Sequence, residues 1–333
     1  MATILGSIPW ARRLKIRHLE VFVVLNETRN LTEAATRLHM TQPALSHWLA
    51  DAEEAVGRAL FLRDRRLSLT VDGEVVLAHA QRMLGDVQRT HAELQAVREG
   101  LQGRLNVGTG LPRVLLPRSI ARLHDDRPGI FVSIVEAPLP NLLQMLSRRE
   151  LDVIIGAIGV QALQSGFTCE ALLPDSVQIV ARREHPLLRM PNPDWNDTLS
   201  FPWILPPKGS VMRTAFDDAY ARQGLVPPVA CVEGNSSMRL QLLLGERDYV
   251  SVLAATEVHL YGPVEHIHLV PVAPEIVSPD IGIIWSGDRA GAMVSALLNA
   301  VRAEAAAARR DSPGLRAVSS QAAKDPSAPH ASA

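Results

Sequence analysis

LTEAATRLHMTQPALSHWLADAEE, residues 31–54, is the stretch whose reading decides how the chain folds. Leu31, Ala34, Ala35 and Leu38 recur at the spacing of one helix face, and the small Ala34 and Ala35 let a neighbouring helix come close. His39 and Met40 make a tight turn. Thr41 stands where an N-cap belongs, Pro43 lies in the first turn where its missing N–H is no loss, and Gly57 stops the run after Glu53 and Glu54. A second helix therefore starts near Gln42 with polar side chains outward, leaving Leu45, Leu49, Ala52 and Val56 for its buried face. Two helices so related form a helix-turn-helix, which sets the opening of its second helix in the major groove of DNA. Gln42, Ser46 and His47 are placed to touch base edges; Gln pairs bidentately with adenine, Ser donates or accepts, and Pro43 and Ala44 offer apolar contact to a thymine methyl. Thr32 and Thr41, at the starts of the two helices, complete the expected contact set. A helical hairpin without a DNA role has the same pattern, and at this point it stays open.

Working outward, an apolar stripe of Leu19, Phe22, Val23 and Leu25 predicts a first helix from about Arg17 that completes a three-helix core. After Gly57, Leu60 to Arg63 and Leu67 to Thr70 read as two short strands of a wing. Arg63, Arg65 and Arg66 lie at its tip, where guanidinium suits phosphate or minor groove; a solvated arginine cluster is the bland alternative. Thr70 caps a helix expected from Val71 to about Gly100. Its Val76, Ala80, Met83, Val87, Thr90, Leu94, Val97 and Leu101 alternate steps of four and three, the spacing of a two-helix seam. The simplest partner is the same helix of a second copy, giving a dimer that offers two reading helices to a pseudo-palindromic site. Packing of the seam against its own chain is the other possibility.

The run AATRLHMTQPALSHWLADAEEAVGRALFLRDRRLSLTVDGE resembles the DNA-binding domain of LysR-type transcriptional regulators. Ala34, Ala35, Gln42, Pro43, Ala44, Ser46, Glu53, Gly57, Leu60, Phe61, Arg63, Thr70 and Gly73 all fit that pattern. It departs at His47 and Trp48, where the family more often carries Arg and Gln, and at Ala50 and Asp51, where basic residues are common. The departures imply a weaker phosphate grip. The resemblance also implies that Arg66 enters the minor groove and that dimers assemble further into a homotetramer.

Beyond Gly100 to Gly103 the pattern changes to short apolar strands alternating with amphipathic helices, an α/β reading with parallel pairing expected. Strands are expected at 105–107, 132–135, 152–156, 177–181, 203–205, 229–232, 249–253 and 282–285, with helices at 115–123, 141–147, 211–223, 236–244 and 290–305. This resembles the effector-binding domain of the same family, two α/β lobes of the periplasmic-binding-protein type II kind, with chain crossings near 157–166 and 270–279. Leu115-Leu116-Pro117 and the run Glu150 to Gly156 match its habits, while Arg149 stands where Gly is frequent. The expected organisation is multidomain: an extension at 1–14; an all-α winged helix-turn-helix domain at 15–71; a linker helix at 72–102; an effector-binding domain at 103–305, with lobe I at 103–160 and 275–305 and lobe II at 161–274; and a disordered tail at 306–333.

In open α/β sheets ligands sit beyond the carboxyl ends of strands, at helix N-termini. Four loops fit: Thr109 and Gly110 with Arg113; Pro138 and Leu139; Lys208, Gly209 and Ser210 before the helix carrying Arg213; and Asn235 and Ser236. Together they suit a small polar or carboxylated effector, with Arg113, Lys208 or Arg213 supplying charge. The segment WILPPKGSVMR is similar to the branch of galactose- and aromatic-compound-responsive regulators, so a sugar and an organic or aromatic acid both remain open.

Composition bounds the rest. At 333 residues, with 47% hydrophobic and 21% charged, two or three globular cores are expected. A net charge of −1 excludes a protein that coats nucleic acid, yet between Arg12 and Thr70 ten basic residues face seven acidic ones. No apolar run reaches ~18 residues and none near the start suits a signal peptide, so a cytoplasmic, nucleoid-associated protein is expected. Cys169 and Cys231 stand alone, giving no disulfide framework or zinc site. Gly108-Thr109-Gly110 lacks the third glycine of a dinucleotide fingerprint, and no P-loop, Gly-x-Ser-x-Gly or His-Glu-x-x-His occurs. No catalytic residue, cofactor or metal is expected: the reading is a ligand-controlled transcription factor rather than an enzyme.

Overall fold

The computed structural model describes residues 15–63, 66–110, 115–245, 247–261, 266–287 and 291–311. The extension before residue 15, Arg65, Arg113 and the tail after residue 311 lie outside the described residues, and Arg63 is described only as a strand position. The chain forms two compact units, one made of the residues up to Gly100 with Ser147–Glu150 and the other of the remaining residues from Leu101.

In the first unit, α1 (Ile16–Thr28), α2 (Leu31–Arg37) and α3 (Gln42–Val56) are followed by the antiparallel pair β1 (Phe61–Arg63) and β2 (Leu67–Leu69), and then by α4 (Val71–Arg98). Local chemistry sets the boundaries. Asn30 caps α2 by accepting from the Thr32 and Glu33 N–H groups, and His39, at φ 54°, turns the chain into α3. Gly57, at φ 77°, ends α3 in the left-handed region that glycine enters without strain. Val21, Phe22, Leu25, Ala34, Ala35, Leu45, Leu49, Leu60, Phe61 and Leu67 form the core, with the Phe22 and Phe61 rings 4.9 Å apart. Val21, not the expected Val23, faces inward: α1 is buried more broadly than a single stripe because α2 and α4 both pack on it.

The second unit contains β3 (Gly103–Thr109), α5 (Leu116–Asp126), β4 (Ile130–Glu136), α6 (Leu139–Ser147), β5 (Val153–Ala157), α7 (Val160–Leu163), β6 (Thr168–Arg182), α8 (Trp195–Thr198), β7 (Trp203–Leu205), α9 (Val211–Arg222), β8 (Ala230–Glu233), α10 (Ser236–Leu243), β9 (Val250–Ala254), α11 (Ala255–Tyr261), β10 (Ile267–Leu269), β11 (Ile276–Trp285) and α12 (Ala292–Asp311). Among the described residues one nine-stranded sheet runs β4-β3-β5-β11-β6-β9-β7-β8, with β10 paired to β6. Pairing is parallel between β3 and both β4 and β5, and between β7 and both β8 and β9. It is antiparallel wherever β6 or β11 takes part.

The expected parallel pairing is present on both sides of β6 and β11, which add antiparallel pairs between them, while the crossings are corrected. β6 and β11 are long strands that belong to both lobes. The first half of β6 pairs with β11 beside β5, and its second half pairs with β9. The first crossing therefore falls near Pro174, well past 157–166, and the second at Pro279, on the edge of the expected 270–279. A proline donates no ladder hydrogen bond, and the β11 register shifts between Ser278 and Ile281. Each lobe has its own core: Leu105, Val107, Leu123, Ile283, Leu297 and Val301 in the first, and Trp203, Leu205, Phe216, Tyr220 and Val252 in the second. α12 runs to Asp311, past the expected end at residue 305, because Ala305 and Ala308 are buried against the first core. The turn before β5 places Arg149 at φ 62°, so the left-handed position often filled by Gly is retained with an arginine in it.

Candidate functional site

The tip of α3 is built by its cap. The Thr41 hydroxyl accepts from the Ala44 N–H at 3.4 Å, and the turn at His39 swings the first residues of the helix away from the core. Gln42, Pro43, Ala44 and His47 are exposed and Ser46 is half-buried, whereas Leu45 and Leu49 are fully buried. Reading and packing faces are thus separate on one helix. His47 Nδ1 lies 3.1 Å from Asp51, one turn on, so two of the four residues that depart from the family pattern face each other along the helix. Trp48 does not face outward: its ring is 4.9 Å from that of His18 and packs on the core. Thr32 and Thr41 are exposed beside the tip, as is Arg66 next to β2.

The wing is tied to the reading helix by one carboxylate. Glu53 Oε1 accepts from the backbone N–H groups of Leu60, at 2.8 Å, and Phe61, at 3.1 Å. Thr70 then donates its hydroxyl to the Ala59 carbonyl at 2.8 Å and accepts from the Gly73 N–H at 2.9 Å. A Cβ at Gly73 would stand 2.1 Å from the Leu60 carbonyl oxygen, so only glycine lets the first turn of α4 lie against the wing. Along α4 the predicted seam divides. Val76 packs on the three-helix core and Ala80 is fully buried within the chain, whereas Met83, Val87, Leu94 and Val97 are exposed. The first two positions therefore serve the chain's own core, and Met83, Val87, Leu94 and Val97 form an exposed apolar stripe.

In the second unit a cavity of about 350 Å³ opens beyond the carboxyl ends of the parallel strands. Gly110 follows β3, Ala137 follows β4, Ala157 ends β5 and Pro206 follows β7. The N-termini of α6, α9 and α10 supply Pro138 and Leu139, Lys208 and Ser210, and Asn235 and Ser236, all of which line it. Local capping places them: Ser210 accepts from the Arg213 N–H, and Asn235 from the Met238 N–H. Asp175 and Ser278, from the two crossing strands, complete the wall.

Three expected residues lie elsewhere. Thr109 is fully buried at the end of β3, where its carbonyl accepts from the Ala137 N–H. Gly209, at φ 80°, shapes the turn without lining the cavity. Arg213 is corrected: its Nε binds Asp217 at 2.9 Å and its Nη1 approaches Glu233 at 3.3 Å, so its charge is spent inside the second lobe. Besides Lys208, the cavity is lined by Arg239, on α10, only 3% exposed. Its Nη1 donates to the Gly234 carbonyl at 2.8 Å and its Nη2 to that of Val252 at 3.3 Å, while its Nε has no acceptor. Burial lowers its pKa to about 10, which still leaves it charged at neutral pH. Burial pushes Asp175 up to about 7, against the N–H bond it accepts from Thr256 at 3.1 Å. Asp175 went unpredicted because it lies between two strands as the sequence divides them, and Arg239 because it sits in mid-helix. Among the described residues no group of three or more His, Cys, Asp or Glu is arranged to hold a metal, and no helix is long and apolar enough to cross a membrane.

Comparison with known proteins agrees with both units. Residues 98–306 match the LysR substrate binding domain, and residues 16–74 match the family described as bacterial regulatory helix-turn-helix protein, lysR family. The HTH-type transcriptional regulator GbpR of Azospirillum brasilense is 31% identical over 281 residues, 83% of this chain and 82% of that protein. The HTH-type transcriptional regulator YdcI of Escherichia coli is 31% identical over 245 residues, 72% and 79% of the two chains. Among solved structures, CbnR, a LysR family transcriptional regulator, matches with a TM-score of 0.57 at 20% identity, over 88% of this chain and 99% of that one. CbnR complexed with its target DNA matches equally well, over 87% and 100%. At that identity the likeness concerns the fold. The relatives are regulators, not enzymes, and with a helix-turn-helix in one unit and a ligand-sized cavity in the other, the chain belongs to the LysR family of DNA-binding transcriptional regulators.

Proposed function

We propose that Gln42 and Ser46 read base edges of an operator, with Thr32, Thr41, Pro43, Ala44 and His47 around them and with Arg63, Arg65 and Arg66 on the backbone or minor groove. The observation that carries this is the exposed, capped opening of α3 above a fully buried Leu45 and Leu49. The domains follow as a DNA-binding part at 15–71, a linker helix at 72–102 and an effector-binding part at 103–305, in a cytoplasmic protein. Two copies pair through the uncovered stripe Met83, Val87, Leu94 and Val97 of α4, since water-exposed apolar stripes at seam spacing gain by mutual burial. A tetramer is the larger assembly.

The effector, a sugar or an organic or aromatic acid, binds in the cavity between the lobes. Support comes from its position at the strand ends and from the polar groups of three helix N-termini converging on an apolar floor. Binding shifts the association of dimers only so far as one arrangement holds the effector better than the other. The test is a gel shift with the DNA upstream of the protein's own gene. Specific retardation that responds to an effector supports the reading; equal affinity for any duplex would overturn it.

A further inference from the structure

We infer that the turn Ser147–Glu150 clamps the linker helix α4 at Gly85 and Asp86, so that α6 and β5, which carry the turn, shift α4 when the cavity fills. The relay rests on the reading of the cavity as the effector site; the clamp does not. Glycine inside a 28-residue helix weakens it, so Gly85 calls for a reason. Gly85 is buried, and a Cβ there would stand 2.0 Å from the Arg148 carbonyl oxygen and 3.2 Å from the Arg149 Cβ. Backbone meets backbone at that point, and neither swings aside as a side chain would. Next along the helix, Asp86 pairs with the part-buried Arg149 guanidinium. Arg149 reaches it from φ 62°, a left-handed conformation that costs a non-glycine residue and that the ion pair helps to hold. By its contacts Ser147–Glu150 goes with α4 in the first unit, although the elements on either side of it belong to the second.

The elements that carry the turn are packed on each other and end at the cavity. Leu142 and Leu146 of α6 share one buried cluster with Leu151 and with Ile154 of β5. Leu139 and Leu142 of α6 line the cavity, as do Ile154 and Ala157 of β5. With nine residues, α6 spans about 13 Å from there to the turn. A close-packed pair of this kind transmits a displacement instead of absorbing it. On α4 the clamp and the exposed stripe do not compete. At about 100° per residue, Gly85 lies about 200° around the helix from both Met83 and Val87. The turn covers one face and leaves the stripe open on the other, so movement of the turn reorients a paired helix without parting it.

The test is hydrogen exchange of the full chain read by mass spectrometry, which needs neither DNA nor effector. In the parent, residues 81–89 and 147–150 should open together as urea rises below the unfolding range; separate opening overturns the clamp with no variant required. Gly85→Ala decides by sign. In an unclamped helix alanine should slow exchange across 81–89 by about fivefold, whereas with the clamp the added Cβ expels the turn and should speed exchange there and at 147–150 by about fivefold or more. Slowed exchange overturns the clamp. Asp86→Arg and Arg149→Asp should each speed exchange at both segments by about threefold, and the double variant should recover the parent rate; a double variant no better than the singles removes the ion pair. Ala137→Phe and Ala157→Leu, which add bulk inside the cavity, should alter exchange at 81–89, and should not do so once Gly85→Ala is also present. If the clamp holds while 81–89 ignores both cavity variants, the relay is overturned and the cavity's reading as the effector site is untouched.

Discussion

Replacing Asp175 by Asn should remove a pH dependence of stability that the parent protein carries. In the folded chain this carboxyl is buried at the crossing of the two lobes and titrates at about 7, against an ordinary 3.8. A raised folded-state pKa means that the folded form holds its proton more tightly. The stability it contributes is thus fully present below about pH 4 and is lost as pH rises through about 7. Integrating the linkage between those two values, the second unit should lose about 3 kcal/mol between pH 4.5 and 7.5 through this group alone. Asn is isosteric, keeps an oxygen to accept the Thr256 N–H and does not titrate in this range. The assay is urea unfolding of the parent and the variant across that pH range. The slope difference isolates Asp175, since every other titrating group is common to both. Parallel stability–pH curves would refute the reasoning.

Other perturbations reach other joints of the structure. Glu53→Ala leaves two wing N–H groups without their acceptor and should destabilise the first unit by about 2 kcal/mol, seen as a lowered denaturant midpoint; an unchanged midpoint removes the tie. Gly73→Ala forces a Cβ into the Leu60 carbonyl and should cost about 1–3 kcal/mol in the same assay, with parent-like unfolding as the contrary result. Arg66→Ala should weaken operator binding and shallow its log–log salt dependence by about one unit, and an unchanged slope takes Arg66 off the DNA. Met83→Asp with Leu94→Asp should drive the protein to smaller species in analytical ultracentrifugation; an unaltered sedimentation profile means the stripe is not the seam.

Much of this architecture was legible because single residues announce it. Thr41 and Gly57 bracket α3 and Thr70 opens α4, each by a capping bond or a left-handed turn that few residues provide. The long strands were not legible, because Pro174 and Pro279 break the pattern just where the chain passes between lobes. Along α4 one periodicity serves two purposes, and nothing in the spacing shows that Val76 and Ala80 are covered by the chain itself. At the cavity the loops and caps were readable but the charges were not. Arg213 follows a capped helix start and looks free, yet Asp217 and Glu233 consume it. Arg239 in SSMRLQLL looks like a solvated helix cation, and only the fold shows it buried with its Nη groups on backbone carbonyls.

The account stands on the opening of α3 as the part that distinguishes one DNA sequence from another. The most direct measurement is the ratio of specific to nonspecific DNA affinity for the parent and for Gln42→Ala and Ser46→Ala, at one fixed salt concentration. We predict that this ratio falls by about tenfold or more for each variant, as expected on losing a base-edge contact, while nonspecific affinity and thermal stability hold. A ratio that stays at the parent value with both side chains truncated would contradict it.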